Sequence, residues 1–203
     1  MESEDIAVLL RPFAELTEQQ LAATLAYITL LQKWNSRINL TAVRSADEIV
    51  RRHFGESFFA AQTLLPRDCA GTIVDLGSGA GFPGIPIALY APNAQVTLIE
   101  SNSKKAAFLN EVVRTLALKN VKVFSHRGEE YPQRSELVVM RAVEKFESSV
   151  AMASGLIESM GRLAVMIGKA QIGQAKAILP GWRWLEPVDV PESESRVLLI
   201  GTL

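Results

Sequence analysis

A glycine-rich turn after a short apolar segment constrains the fold more than any other feature of this chain. Residues 73–76 are apolar except for Asp75, and glycines follow at 77, 79, 81 and 84. Glycines in such a turn let backbone amides approach a ligand closely. A second apolar run, 95–99, ends at Glu100, and an acid at this place in a doubly wound α/β fold binds ribose hydroxyls. The pattern predicts a Rossmann-like sheet that binds a nucleoside-bearing cofactor.

The glycine spacing leaves more than one cofactor open. Gly79, Gly81 and Gly84 fit the G-x-G-x-x-G fingerprint of dinucleotide-binding proteins, which would suit a nicotinamide or flavin nucleotide. That fingerprint starts directly after the strand, however, and read from Gly77 its third glycine is replaced by Phe82. The G-x-G-x-G form read from Gly77 is typical of enzymes that use S-adenosylmethionine (SAM), which has no pyrophosphate. We favour SAM over a dinucleotide and over a turn without a ligand.

Hydrophobic periodicity predicts an α/β fold, with a doubly wound, mostly parallel sheet of seven strands and an N-terminal helical extension. The predicted strands are 72–76, 95–99, 121–125, 137–140, 161–167, 182–190 and 196–201, and the predicted helices are 17–35, 45–65, 84–90, 103–117, 145–158 and 170–178. The last two strands should form an antiparallel hairpin at the sheet edge. We therefore divide the chain into a helical cap, 1–68, and a cofactor-binding domain, 69–203.

Composition excludes several classes of protein. One cysteine and two distant histidines predict neither a disulfide framework nor a metal site. The acidic start is unlike a signal peptide, and no apolar stretch reaches membrane-spanning length, so we expect a soluble, cytoplasmic protein. The net charge is −1, yet residues 33–53 carry five Lys/Arg and residues 104–127 carry six. These segments predict a nucleic-acid-binding face, or else ordinary solvated helix faces.

Motifs along most of the chain resemble the glucose-inhibited division protein B family. The matching stretches are Val74 to Pro86 with its two proline–glycine features, Trp34-Asn35-x-x-Ile38-Asn39-Leu40-Thr41, Arg52-His53, Glu100-Ser101, Lys104-Lys105, Arg127-Gly128-Glu129-Glu130, Arg141-Ala142 and Arg196-Val197. The resemblance implies a class I SAM-dependent methyltransferase that modifies a guanine N7 in small-subunit (16S) ribosomal RNA. Its partner would be that RNA or the assembled small subunit. We expect a monomer with no membrane partner.

The residues and the resemblance together predict a cofactor site. Its members are Gly77, Gly79, Phe82, Glu100, Gly128, Glu129 and Arg141. Glu100 suits the ribose hydroxyls. The resemblance places Gly128 and Glu129 around the adenine and Arg141 near the methionine end, and a guanidinium directly after a strand suits a carboxylate or a phosphate.

A second set of residues is predicted to face RNA. Its members are Arg37, Asn39, Thr41, Arg52, His53, Lys104 and Lys105. Phosphate contacts from the basic members would give salt-dependent affinity without sequence specificity. Asn39 and Thr41 fit a structural role equally well, because both residue types form turns between helices.

No catalytic acid, base or nucleophile is predicted. Methyltransferases that act on amino groups of bases commonly carry Asn/Asp-Pro-Pro-aromatic after the fourth strand, where this chain has Val139-Met140-Arg141-Ala142. Guanine N7 has a free lone pair and loses no proton on methylation, so positioning alone can drive the reaction. The alternatives left open are a SAM-dependent methyltransferase of another RNA or of a small molecule, and a non-catalytic SAM-binding protein.

Overall fold

A computed structural model describes residues 2–143 and 145–203, and its centre is a β-sheet. The strands are β1 (Thr72–Leu76), β2 (Gln95–Ile99), β3 (Val121–Phe124), β4 (Ser135–Arg141), β5 (Ile157–Gly168), β6 (Arg183–Trp184), β7 (Val188–Asp189) and β8 (Arg196–Thr202). Their spatial order is β3-β2-β1-β4-β5-β8-β6, with β7 also paired to β8. Strands β1 to β5 are parallel, and β8 is antiparallel to β5. The predicted mostly parallel α/β sheet is confirmed.

The strand count differs from the predicted seven. In the described part of the chain the sheet has eight strands, because the stretch predicted as one strand at 182–190 is divided into β6 and β7. Both short strands pair with β8, as Trp184 does with Gly201 and Val188 with Leu198. Pro187 lies between them and has no N–H for the ladder. The predicted antiparallel pairing at this sheet edge is confirmed.

Helices cover both faces of the sheet. They are α1 (Ser3–Leu10), α2 (Glu18–Asn35), α3 (Ala46–Glu48), α4 (Glu56–Leu64), α5 (Gly84–Tyr90), α6 (Ser103–Thr115), α7 (Phe146–Gly155) and α8 (Ile172–Ile178). A π-helical segment, Ile49–Gly55, joins α3 to α4, and 3₁₀ turns lie at Gly128–Glu130 and Lys169–Gln171. Helix α1 was not predicted, and α7 ends before the predicted residue 158 because Ile157 already pairs with Ser135.

The start of α2 follows from a capping box. Thr17 Oγ1 accepts a hydrogen bond from the Gln20 amide at 3.3 Å, and Gln20 Oε1 accepts one from the Thr17 amide at 2.9 Å. These bonds satisfy backbone donors that a helix start leaves unpaired. Because this signal is local in sequence, it could be recognised without the fold.

One hydrophobic core connects the N-terminal helices to the sheet. Tyr27 of α2 and Phe58 of α4 belong to the same buried cluster as Ile85 and Leu98. A second cluster, with Val138 and Val150, fills the other face of the sheet. The boundary at 68/69 therefore crosses a continuous core and remains a prediction about chain organisation. Among the described residues, no helix is both long and apolar enough to traverse a bilayer.

Candidate functional site

The carboxyl ends of the parallel strands meet at one edge of the sheet, where a cleft of about 950 Å³ opens. All seven predicted cofactor residues line it: Gly77, Gly79, Phe82, Glu100, Gly128, Glu129 and Arg141. Of the predicted RNA-facing residues, Thr41, Arg52, His53 and Lys105 line it as well. Arg37, Asn39 and Lys104 are exposed outside the cleft. The fold thus brings the whole predicted cofactor set and four of the seven predicted RNA-facing residues to one cleft, at the edge where parallel strands end on the same side of the sheet.

The turn after β1 adopts the backbone that its glycines permit. Gly77, Gly79 and Gly81 have φ angles of 72°, 58° and 88°, a region that other L-residues rarely enter. The amides of Gly77 and Ser78 both donate to the Ile99 carbonyl at 3.0 Å. The turn is therefore tied to the end of β2, the strand that precedes Glu100.

Glu100 braces this turn and borders the cleft. Its Oε2 accepts from the Gly79 amide at 2.9 Å, and its Oε1 accepts from the Asn102 amide at 2.7 Å. Each carboxylate oxygen can accept a further hydrogen bond. The side chain can therefore hold the turn and still receive two ribose hydroxyls.

Asp75 is a brace and does not line the cleft. Its side chain is fully buried, its Oδ2 accepts from the Gly84 amide at 2.9 Å, and its Oδ1 has no hydrogen-bond partner in the described structure. Burial raises its pKa to about 7, although the bond from Gly84 opposes the shift. Asp75 therefore fixes the start of α5 rather than a ligand.

Tyr27, which the sequence reasoning missed, holds the same turn from the N-terminal side. Its hydroxyl donates to the Ala80 carbonyl. Its ring stacks on Phe82 with centroids 5.4 Å apart, and Phe54 contacts both rings edge-on at 5.0 Å. Burial, and then Asp75, raise the pKa of Tyr27 well above its usual value, so the hydroxyl remains a donor. The available signal was a tyrosine in an aliphatic helix stripe, since a buried hydroxyl needs a partner.

Arg141, at the end of β4, is bound within the protein. Its Nη2 lies 3.0 Å from Glu56 Oε2, and it donates to the backbone carbonyls of Arg52 and His53. The other Glu56 oxygen pairs with Arg196. Glu56, which the sequence reasoning also missed, is only 2% exposed. Its burial raises its pKa, while Arg141 and then Arg196 act in the opposite direction.

His53 lies on the cleft wall but is not a cation. Its ring stacks on Phe82 at 5.1 Å, and its Nε2 lies 2.6 Å from Thr41 Oγ1. Burial, followed by the charges of Arg141 and Arg52, lowers its pKa to about 3. The ring of His53 therefore offers hydrogen bonding and stacking at this wall instead of a positive charge, and its RNA-facing role stays a prediction.

The loop before α3 is shaped by Asn35. Its Oδ1 accepts from the amides of Leu40 and Thr41 at 2.9 and 3.0 Å, and its Nδ2 donates to the Thr41 carbonyl. These bonds present the Thr41 side chain at the cleft, while Asn39 remains exposed outside it. The Trp-Asn-x-x-Ile-Asn-Leu-Thr motif thus contains a structural asparagine that the sequence reasoning did not single out.

The opposite wall comes from the segments after β2 and β3. Asn102 caps α6 by accepting from the amides of Lys104 and Lys105 at 3.0 and 3.2 Å, which leaves Lys105 on the cleft and Lys104 outside it. Gly128 is buried against Met152 and Leu76, where a Cβ would lie 2.3 Å from Met152 Sδ. A larger residue at 128 would therefore displace part of this wall.

Comparisons with solved structures define the class of the fold. A SAM-dependent methyltransferase from Aquifex aeolicus aligns with a TM-score of 0.59 at 18% identity over 71% of this chain and 90% of that one. A ribosomal protein L11 methylase from Lactobacillus delbrueckii gives a TM-score of 0.63 at 10% identity, covering 74% of this chain and 78% of that one. The chain has the class I methyltransferase fold.

Sequence comparisons then give the family. The family model described as rRNA small subunit methyltransferase G matches residues 20–178. A relative named ribosomal RNA small subunit methyltransferase G, from Xanthomonas campestris pv. campestris (strain B100), is 39% identical over 88% of this chain and 84% of its own length. The one from Xylella fastidiosa (strain 9a5c) is 40% identical with the same coverage. The chain belongs to the rRNA small subunit methyltransferase G family, and the resemblance noted in its motifs is confirmed.

Proposed function

We propose that this protein transfers a methyl group from SAM to N7 of a guanine in 16S ribosomal RNA. The observation that carries the proposal is one cleft bordered by two kinds of wall. The glycine turn and Glu100 form a wall suited to a nucleoside cofactor. The loop with Thr41 and the π-helical segment with Arg52 form a wall suited to RNA. The family membership supports this assignment.

The residues present fit SAM. The positive φ angles at Gly77 and Gly79 favour glycine, whose missing side chain leaves the backbone of the turn open to a ligand, and a Cβ on Gly79 would meet only the Gly77 carbonyl, at 3.8 Å. Glu100 would accept the ribose hydroxyls, and Gly128 with Glu129 would border the adenine. Arg141 would face the methionine end.

The chemistry needs a positioned acceptor and no proton transfer. When bound, SAM supplies an electrophilic methyl group on a sulfonium, and guanine N7 attacks it with a lone pair. Holding the acceptor in line is worth several kcal/mol of barrier lowering, up to about 7–11 in well-oriented systems. Asp75 has a pKa of about 7 but is fully buried away from the cleft, so it is not a general base. We therefore assign no catalytic acid or base.

RNA would enter along the wall that Thr41 and Arg52 form, and Lys105 would face it from the opposite wall. Arg37, Asn39 and Lys104 lie outside the cleft and would contact flanking RNA. His53 would contribute its neutral ring. With a net charge of −1, affinity for bare RNA should be low, so we propose the assembled small subunit as substrate, acted on by a monomer in the cytoplasm.

The test is methyl transfer from labelled SAM to small subunits that lack the modification, followed by mapping of the labelled base. Label at a single guanine N7 of 16S RNA is the expected result. Label on another RNA, or on small molecules in a cell extract with none on the subunit, would contradict the substrate assignment. Equal rates on protein-free RNA and on intact subunits would contradict the preference for the particle.

A further inference from the structure

Glu56 is a buried carboxylate that neither the proposed chemistry nor the sequence motifs use. It begins α4, directly after the π-helical segment. One oxygen pairs with Arg141 of β4 and the other with Arg196 of β8. Glu56 thus joins the segment on the RNA-facing wall to two strands of the sheet, at residues that all line the cleft.

The charges of this group do not balance. Arg52, Arg141 and Arg196 all act on the pKa of Glu56, and the same three guanidiniums lower the pKa of His53. Two carboxyl groups, Glu56 and the fully buried Asp75, act on Arg141, so three guanidiniums face two carboxyl groups and a positive excess remains at this end of the cleft. In the described structure, moreover, Arg196 Nε is buried and has no hydrogen-bond partner.

The contacts of Arg141 and Glu56 hold two positively charged guanidiniums, those of Arg141 and Arg196, close to each other. Arg141 also donates to the backbone carbonyls of Arg52 and His53, and only 11% of its side chain is exposed. Without Glu56, the repulsion between the two positively charged guanidiniums of Arg141 and Arg196 would not be offset. Bridging by a buried carboxylate fixes both guanidiniums in position, and the N–H groups that these contacts leave unused, among them Arg196 Nε, can donate to a carboxylate or a phosphate.

We propose that Glu56 is a positioning residue, and that Arg141 and Arg196, held by it, form an oxyanion subsite at the β4–β8 end of the cleft. The inference rests on the proposed function, because that function supplies two candidate anions. One is the α-carboxylate of SAM, and the other is an RNA phosphate beside the target guanine.

The Glu56→Gln variant distinguishes two roles for Glu56: positioning Arg141 and Arg196, or only neutralising their charge. The substitution nearly preserves side-chain volume and raises the net charge of the subsite by one. If Glu56 only neutralised the arginines, anion affinity would rise. If Glu56 positions them, affinity falls, by about tenfold for the loss of one charged hydrogen bond, because the Gln amide can bridge only one guanidinium through its oxygen.

Arg196→Gln and Arg196→Lys keep the test usable if the Glu56 variant does not fold. Arg196 is 29% exposed on its side chain, and replacing it leaves the Glu56–Arg141 pair in place. Lysine retains the charge without the fork, so positioning predicts that both variants weaken the anion. Arg51→Gln is the matched control, because Arg51 pairs with Glu192 on the surface and does not line the cleft.

Two measurements identify the anion. Calorimetric Kd values for SAM and for decarboxylated SAM should differ in the wild type and converge in the Arg196 variants if the carboxylate is bound. If a phosphate is bound, the Kd values for SAM do not change in the Arg196 variants. The slope of log affinity for small-subunit RNA against log salt concentration then falls in magnitude by about one in Arg196→Gln relative to Arg51→Gln.

The inference is overturned if Glu56→Gln strengthens anion binding, if Arg196→Lys behaves as wild type, or if neither measurement separates Arg196→Gln from Arg51→Gln. A failure of the proposed function would look different. In that case the wild-type protein itself would not bind SAM or methylate the subunit.

Discussion

Replacing Tyr27 by phenylalanine tests whether the N-terminal helices hold the glycine turn after β1 in place. The substitution removes the hydroxyl that donates to the Ala80 carbonyl and keeps the ring that stacks on Phe82. The Ala80 carbonyl then has no donor, and because Ala80 is only 7% exposed, water does not readily replace the lost hydroxyl. An unsatisfied buried acceptor costs about 1–3 kcal/mol. For a chain of this size we expect a melting temperature lower by about 2–12 °C.

Cofactor affinity should fall in the same variant. A turn that adopts the bound conformation for a smaller fraction of the time binds with a proportionally higher Kd, and about 1 kcal/mol of lost order corresponds to roughly a fivefold increase. Calorimetry with SAM and thermal unfolding monitored by circular dichroism measure the two effects. Tyr90→Phe is the control, because it also removes a tyrosine hydroxyl, but from the last residue of α5, whose ring lies 4.5 Å from the Arg67 guanidinium and not on the glycine turn. If Tyr27→Phe lowered the melting temperature but bound SAM like the wild type, the assigned link to the turn would be refuted.

Three further outcomes are expected. Asp75 has a folded-state pKa raised to about 7, so its contribution to the free energy of unfolding is complete below about pH 4 and is lost as pH rises to about 7. In urea titrations, the free energy of unfolding of Asp75→Asn should therefore rise relative to that of the wild type over this pH range. A difference that stays constant with pH would contradict the assignment. Glu100→Gln should raise the Kd for SAM about ten- to a hundredfold in equilibrium binding, and a Kd equal to that of the wild type would exclude the ribose contact. Lys105→Gln should raise KM for the small subunit more than Lys104→Gln does, because Lys105 lines the cleft, and steady-state kinetics in which Lys104→Gln had the larger effect would reverse that order.

Local sequence signals predicted the elements around the site well. The Thr17 capping box, the glycines with positive φ and the acid ending β2 are each readable within a few residues. Because these signals act through the backbone of their own segment, they can be recognised in the sequence without knowing the fold. The same holds for the parallel sheet, whose strands alternate with helices along the chain.

Pairings between distant segments were not predictable in this way. The sequence predicted an anion-binding role for Arg141 but not its partner Glu56, which the fold places against it from 85 positions earlier in the chain. His53 looked like a cation, but its pKa follows from burial and from arginines on other elements. Charge state depends on desolvation and on neighbouring charges in space, and neither is a property of a short sequence window.

The sequence by itself determined the order of the elements, the conformation of the glycine turn and the edge of the sheet where the candidate site lies. These follow from hydrophobic period, backbone freedom and the direction of parallel strands. Only the tertiary structure decided which side chains are charged, paired or free at that edge. Burial and long-range contacts set those properties, and they arise only when α2, α4, β4 and β8 pack around one cleft.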